Sequence, residues 1–366
     1  MIDALVIGAG PAGLAVSREL GLRGVAHTVL EAGQAPGHSW SKVYDSLRLH
    51  TGKHLSALPG MRLPRSSPMF VPAPRFLEYL RAYASSFDIP VRTDARALRA
   101  QRTPGGWHIE TTVGDYAARS LVVATGIMAS PYVPPFRGRE RFGGTVRHSI
   151  EYLRPDPFVG RRVLVVGAGN SAGEIAPELA AAGAEVAVAI RSGANVVPLT
   201  VLGIPIQYVA WAALKLPLPA RRPFVGAFRR AARLIRGEPP FPPSRKPLLD
   251  AVPIIGFALV DAIRSGAIRL HGGLERFTRT GVRFHDGAEK AFDDVILATG
   301  FRAALEPLGD LVTRDERGFA KRLDRVRSAD QPDLYFVGHH YDGTGGLYNI
   351  SLDAPAVAAI VAEGRG

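Results

Sequence analysis

The sequence predicts an α/β fold made of two three-layer units, one interrupting the other. Two observations point there. A pattern of apolar run, glycine-rich turn and helix-like stretch occurs twice, and each occurrence is followed later by an apolar strand ending in Ala-Thr-Gly. A chain of 366 residues is long enough for two domains of ordinary size. Its 46% hydrophobic content beside 21% charged residues marks a globular chain rather than a disordered one.

The first element is the apolar run "ALVIGAG", followed by a helix-like stretch, "PAGLAVSRELGLRG", and a second apolar run ending "TVLEA". Gly8, Gly10 and Gly13 have the spacing at which a chain turns tightly, brings backbone N–H groups onto a pyrophosphate and packs helix on strand. Glu31 ends the second strand, where a carboxylate can accept hydrogen bonds from a ribose diol. Strand context and Glu31 together make this a Rossmann-like, dinucleotide-binding unit for a cofactor with a free ribose.

The pattern returns in "RRVLVVGAGNSAGEIAPELAAAGAEVAVAIRSG", with Gly167, Gly169 and Ala172 in the turn. Where the first unit has Glu31, the second has Arg191 followed by Ser192. A guanidinium there binds a 2′-phosphate and selects NADPH over NADH, or else it is a solvated loop residue. Asn170 and Ser171 stand in the turn, where their side chains either cap the helix or touch the pyrophosphate.

The segments "SLVVATG" and "DVILATG" rhyme, and each falls where a chain would leave one domain for the other. The expected organisation is a discontinuous first domain, residues 1–155 plus 294–366, around an inserted second domain, residues 156–293. Within the insertion, residues 200–248 form a helical, Arg-rich segment. "FVGAFRRAARLIRG" has a helical period with an arginine-rich opposite face, which can make a peripheral membrane contact, steer an anionic substrate or simply be solvated. The apolar window "TVLGIPIQYVAWAALKLPLP" is near the length of a bilayer span, but Lys215 and three prolines interrupt it. It reads as buried or interfacial.

The formal charge of +12 comes from scattered basic residues, and no helix or strand joins clustered basic with aromatic positions, so nucleic acid is not an expected partner. Cysteine is absent, which removes disulfides, thiolate metal sites and catalytic thiols. His27, His38, His54 and His108 are isolated, no triad stands out, and no metal site is expected, "GHH" at 338–340 being the nearest approach to one. The chain runs directly into "ALVIGAG" with no leader pattern, so a cytoplasmic location is the expectation.

Between the two glycine motifs lies "FGGTVRHSIEY", in which Phe142, Gly144, His148 and Tyr152 match the F-x-G-x-x-x-H-x-x-x-[FY] signature of the flavin-containing monooxygenases. The chain resembles that family over nearly its whole length. It is most similar to the YUCCA-type branch and its bacterial relatives, through "YDSLRLHTGKHLSALPGMRLP", "FLEYLRAYA", "GAGNSAGEIA", "RSGANVVPL" and "LYFVGHHYDGTGGLYNISLDA". The resemblance departs at two places. His50 stands where animal-type relatives carry an asparagine, and Gly338-His339 stands where many have Gly-Asp, with Gly345, Gly346 and a helix start around Asp353 offered instead.

The resemblance implies FAD in the first unit and NADPH in the second. NADPH would reduce the flavin, and reduced flavin with O2 would form a peroxyflavin that passes one oxygen atom to a small organic substrate. An aryl 2-oxo acid such as indole-3-pyruvate, oxidatively decarboxylated, is the substrate the branch implies. Oxygenation at nitrogen or sulfur of a small metabolite is the rival substrate reading, and an NADPH-flavin electron-transfer reductase the rival class. The flavin residues expected are Gly8, Gly10, Gly13, Glu31, Trp40, Arg48, His50, Thr51 and Asp353; for NADPH they are Gly167, Gly169, Asn170, Ser171, Arg191 and Ser192. No catalytic acid or base is assigned. His50 is a candidate at the flavin edge, and His148 a candidate hinge or clamp at the crossing between domains.

Overall fold

The structure, a computed structural model, describes residues 1–244 and 253–364. It forms two compact units: Met1–Ser130 with Phe301–Gly366, and Pro131–Gly300. These crossings differ from the expected boundaries because residues 131–155 and 294–300 are bound into the second unit. Tyr132 N–H donates to the Gly300 carbonyl at 2.9 Å, and the Thr299 hydroxyl donates to the Tyr132 carbonyl at 2.6 Å. The last four residues of the expected Arg-rich segment, 245–248, lie outside the described residues.

The first unit opens with strand β1 (Ile2–Ile7), helix α1 (Pro11–Leu22) and strand β2 (His27–Leu30), β1 and β2 being parallel. Along β1, Ala4 and Val6 enter one hydrophobic cluster while Leu5 and Ile7 enter another. A strand covered on both faces reads as an unbroken apolar run, which is why "ALVI" shows no alternation. After α2 (Lys53–Ser56), helix α3 (Ala73–Ser86) buries Phe76, Tyr79, Leu80 and Tyr83. Strand β3 (Val91–Arg92) flanks β2, and a meander of β4 (Ala97–Thr103), β5 (Gly106–Thr111) and β6 (Tyr116–Val123) completes the order β3-β2-β1-β6-β5-β4.

The second unit begins with β7 (Thr145–His148), then β8 (Arg162–Val166), α4 (Asn170–Ala181) and β9 (Glu185–Ala189). Short strands β10 (Val196–Val197), β11 (Thr200–Val201) and β12 (Ile204–Pro205) lead to helices α5 (Ile206–Lys215) and α6 (Leu218–Arg236). Next come β13 (Ile254–Ile255), α7 (Ala258–Arg264) and β14 (Ile268–His271), followed by the antiparallel meander β15 (Leu274–Phe277), β16 (Gly281–Phe284) and β17 (Glu289–Ala291). With β18 (Asp294–Leu297) the parallel sheet has the order β14-β9-β8-β18-β7. Leu164, Val166, Val295 and Leu297 from this sheet pack on Phe277, Val282 and Phe284 of the meander.

The chain then returns to the first unit. Strand β19 (Leu334–Phe336) pairs parallel with Leu121–Val123 at the end of β6. Helix α8 (Gly346–Glu363) shares a core with α1, its Ala354, Val357 and Ala358 in the cluster that holds Leu14, Ala15 and Val16. No helix among the described residues is long and apolar enough to cross a membrane.

The stretch Phe142–Tyr152 is built into the second unit, and His148 bonds Gly300, the last residue of that unit. Thr145–His148 is the edge strand β7, in register with Asp294–Leu297. Phe142 packs on Phe277 with ring centroids 5.4 Å apart. A β-carbon on Gly144 would lie 2.5 Å from the Asp293 carbonyl oxygen, so the strand's close entry needs glycine. His148 Nδ1 accepts from Ile150 N–H at 3.2 Å, which leaves Nε2 to donate to the Gly300 carbonyl at 3.0 Å. Burial holds this imidazole below its usual range, against smaller opposing effects of the Gly300 carbonyl and Glu151. Tyr152, 1% exposed, donates to Glu178 of α4 at 2.8 Å.

Candidate cofactor sites

The turn from β1 to α1 is shaped by three glycines with three different jobs. Gly8 has φ +104°, and a β-carbon there would stand 2.6 Å from the Ala124 carbonyl oxygen. A β-carbon on Gly13 would lie 1.7 Å from the Gly8 carbonyl oxygen, so helix and turn touch backbone to backbone. Gly10 has no atom within 4 Å of that position, and it opens on a cavity of about 560 Å³. No side chain caps the N-terminus of α1, whose first residues Pro11 and Ala12 line the same cavity. An uncapped helix start with its N–H groups toward an open space is a binding site for phosphate oxygens.

Glu31 also lines this cavity and is buried. Its carboxylate is fixed by two backbone donors, Ala9 N–H to Oε2 at 3.0 Å and Gly33 N–H to Oε1 at 2.9 Å. A carboxylate has about four acceptor positions, so each oxygen keeps capacity for a further donor such as a ribose hydroxyl. Trp40 and Thr51 line the cavity as well, Trp40 set edge-on against Phe76 with centroids 4.7 Å apart and Thr51 bonded to the Ser56 hydroxyl at 2.6 Å. Phosphate-facing helix start, acceptor-only carboxylate and long apolar wall fit FAD.

The structure separates Arg48, His50 and Asp353 from that group. Leu49 and Thr51 line the cavity, whereas the alternating Arg48 and His50 do not; Arg48 is exposed, and its backbone bridges to Pro72. The expected helix start near Asp353 is corrected: α8 starts at Gly346, after Gly345 at φ +89°, so Asp353 sits two turns inside the helix and is fully buried. Its carboxylate pairs with Arg325 and accepts the Gly338 N–H at 3.0 Å. Gly338, Gly346, Leu347 and Ile350 are wall residues of the cavity. Asp353 therefore acts on the wall from behind.

In the second unit, Gly167, Gly169, Arg191 and Ser192 line one cavity of about 330 Å³. Gly167 has φ +136°, and a β-carbon on it would lie 2.2 Å from the Ala298 carbonyl oxygen. Gly169, like Gly10, has nothing within 4 Å. Arg191 is exposed at the cavity and makes no ion pair among the described residues, as a guanidinium held for a phosphate would be. This donor set fits NADPH.

Neither Asn170 nor Ser171 caps α4, where Gly169 is the capping residue without a side-chain bond. Asn170 Oδ1 instead accepts from Ile255 N–H at 2.9 Å and ties the helix start to β13, while Ser171 is half-buried and does not line the cavity.

Two features were not visible as site residues in the sequence. A β-carbon on Gly273 would meet Arg191 Cγ and His285 Cδ2, each at 2.9 Å, so this glycine leaves the passage along which Arg191 runs. The Ala-Thr-Gly repeats also gain a reason. In each, the alanine carbonyl lies against the glycine of the phosphate turn, and the threonine hydroxyl bonds a returning segment: Thr125 to the Ala304 carbonyl, Thr299 to that of Tyr132, both at 2.6 Å. Among the described residues no group of three or more His, Asp or Glu side chains is arranged to hold a metal ion.

Residues 5–198 match the family model described as pyridine nucleotide-disulphide oxidoreductase. Indole-3-pyruvate monooxygenase YUCCA1 of Oryza sativa subsp. japonica is 36% identical over 373 residues, spanning 97% of this chain and 90% of the relative. A flavin-containing monooxygenase from Stenotrophomonas maltophilia superposes with a TM-score of 0.80 at 25% identity, covering 100% of this chain and 99% of that one. Cyclohexanone monooxygenase from Rhodococcus sp. Phi1, solved with NADP+, shares the fold with a TM-score of 0.75 at 20% identity, covering 100% of this chain and 84% of that one.

Proposed function

Because the chain belongs to the YUCCA-type flavin-containing monooxygenases, within the pyridine nucleotide-disulphide oxidoreductase family, and is an FAD- and NADPH-dependent monooxygenase, we propose that it oxidatively decarboxylates an aryl 2-oxo acid such as indole-3-pyruvate. The observation that carries this reading is the likeness to an indole-3-pyruvate monooxygenase along nearly the entire chain. With no cysteine in the sequence, the chain carries no redox-active cysteine pair of its own.

In the overall reaction the 2-oxo acid, O2, NADPH and a proton give the acid one carbon shorter, CO2, water and NADP+. Bound FAD supplies the redox and oxygen-activating chemistry. The protein's part is binding and orientation. Gly8, Gly10 and Gly13 shape the turn that offers the α1 N–H groups to the FAD pyrophosphate, and Glu31 accepts from its ribose. Trp40 and Thr51, with Leu49 and Ile350, form walls that exclude water. Gly167 and Gly169 do the same for NADPH at α4, and Arg191 with Ser192 holds the 2′-phosphate. A cytoplasmic location goes with this reading, since the reaction draws on the cell's NADPH.

The test is product analysis. FAD-loaded enzyme is mixed with NADPH and indole-3-pyruvate under air, and the arylacetic acid formed is compared with NADPH consumed. Near-equal amounts support the proposal. Formation of N- or S-oxides from amines or thioethers with no acid from the 2-oxo acid sinks the substrate assignment. Rapid reduction of a ferredoxin or quinone without any oxygenated product sinks the oxygenase reading itself.

A further inference from the structure

Helix α6 carries six arginines and no acidic residue over Leu218–Arg236. At the angular step of an α-helix its residues fall into three stripes. Val225, Phe228 and Ala232 form the inner one, and Phe228 and Ala232 line a small cleft with Ala194 and Val197. Arg222, Arg230, Arg233 and Arg236 form an exposed basic stripe. A third stripe is apolar yet open to solvent, with Phe224, Leu234 and Ile235 exposed by 41%, 80% and 79%. Large apolar side chains at that exposure, alongside arginines, are the composition of a helix that lies in a lipid headgroup layer.

The arginines are not all engaged. Arg221 donates to the Leu214 and Leu216 carbonyls, Arg233 pairs with Glu238 at 2.9 Å and Arg236 with Asp261 at 2.8 Å. Arg222 and Arg230 make no ion pair among the described residues. On the helix wheel Arg230 stands beside Leu234, where a guanidinium reaches lipid phosphates while the stripe enters the acyl boundary, and Arg222 belongs to the opposite, basic face.

We propose that α6 is a docking element for an anionic membrane surface, with Phe224, Leu234 and Ile235 inserted at the headgroup level and Arg230 at their edge on a lipid phosphate. Charge complementarity selects this occupant. A second copy of the chain would set arginine against arginine on this helix, whereas an anionic bilayer attracts both the helix and a chain of net charge +12. The proposal is independent of which substrate the enzyme oxidises.

The experiment is co-sedimentation of the FAD-loaded enzyme with vesicles of phosphatidylcholine alone, and of phosphatidylcholine mixed in equal parts with phosphatidylglycerol. The expected result is binding to the mixed vesicles only, lost at roughly 0.5 M salt, where the screening length falls to a few ångströms. Leu234→Asp with Ile235→Asp should weaken binding at least about tenfold. Arg230→Ala should weaken it several-fold, the share of about 1 kcal/mol that one basic residue near an anionic surface carries. Both variants should keep their flavin and their NADPH-dependent turnover in vesicle-free solution. The proposal is overturned if wild-type enzyme stays in the supernatant with anionic vesicles, or if the Leu234→Asp, Ile235→Asp variant and the Arg230→Ala variant both bind like wild type. It is also overturned if the wild type self-associates without lipid and the Leu234→Asp, Ile235→Asp variant returns to monomer, since the stripe would then belong to a second copy.

Discussion

Gly167 lies directly against the Ala298 carbonyl: a β-carbon would stand 2.2 Å from that oxygen, on a residue whose φ is +136°. Gly8 and Ala124 repeat the relationship in the first unit at 2.6 Å. In both cases the turn that faces the cavity rests on the backbone end of a neighbouring central strand.

Gly167→Ala must therefore either move the end of β18 or leave the turn. The backbone strain and the clash together should cost about 2–4 kcal/mol of stability. The KM for NADPH should rise at least about tenfold while the flavin content of the purified protein stays near wild type, because the first unit's turn is untouched. Flavin absorbance per protein and steady-state kinetics measure both; a normal KM in a folded variant contradicts the role given to this turn.

For the coenzyme's 2′-phosphate, two substitutions should act alike. Arg191→Ala should lower kcat/KM with NADPH by roughly 10- to 100-fold, the loss of a charge-assisted contact of about 1.5–3 kcal/mol, and leave NADH nearly unchanged. Gly273→Val, which puts a side chain where Arg191 passes, should shift the NADPH:NADH ratio in the same direction. If Gly273→Val lowers both coenzymes equally, the glycine serves the fold and not the arginine.

Glu31→Gln tests the first cavity. The carboxylate accepts from Ala9 N–H and Gly33 N–H, and an amide NH2 in its place would confront one of those donors with another. An unmet buried donor costs about 1–3 kcal/mol, so the expectation is a lower Tm and a flavin affinity reduced roughly tenfold or more. Retention of FAD through dialysis, compared with wild type, gives the readout.

His339 should make the protein acid-sensitive. Its ring is wedged against Phe319 and Phe336, neither nitrogen has a hydrogen-bond partner among the described residues, and burial pushes its pKa from 6.5 to about 3, the Arg322 charge adding in the same direction. A base whose pKa is depressed on folding binds its proton more readily when unfolded. Stability is therefore whole above about pH 6.5 and drains away as pH falls from there toward about 3. At pH 5 the loss from this one residue is about 2 kcal/mol. Urea melts at pH 7 and pH 5 should show His339→Leu losing less between the two than wild type does; equal losses would remove His339 as the cause.

Much of the cofactor machinery was legible because it depends on local rules. The glycine spacing, the strand-end Glu31 and Arg191 and the helix that follows each turn are all set within about thirty residues of one another, and the structure gathers Gly8, Gly10 and Glu31 at one cavity and Gly167, Gly169, Arg191 and Ser192 at another. What escaped reading depends on pairing at long range. Thr145–His148 looks like a connector until β18 supplies its partner. Asp353 looks like a helix start because the preceding "GGLYNI" reads as a loop, yet burial against α1 extends the helix back to Gly346. Gly273 carries no motif, and its role comes from the side chain of Arg191, distant in sequence; His339 stands in "GHH", but its burial against Phe319 is set by the fold and not by that pattern.

Strand β6 carries a consequence for synthesis. One edge of it runs along β1, while the other is shared between β5 and β19, and β19, at Leu334–Phe336, follows the whole of the second unit in sequence. The companion of α1 in its core, α8, comes later still. On the ribosome the first unit thus waits, sheet edge open and helix uncovered, while the whole of the second unit is translated and able to fold. Of these two units the one begun first is completed second, and a chain stopped just before Leu334 would strand a finished coenzyme unit with an unfinished flavin unit.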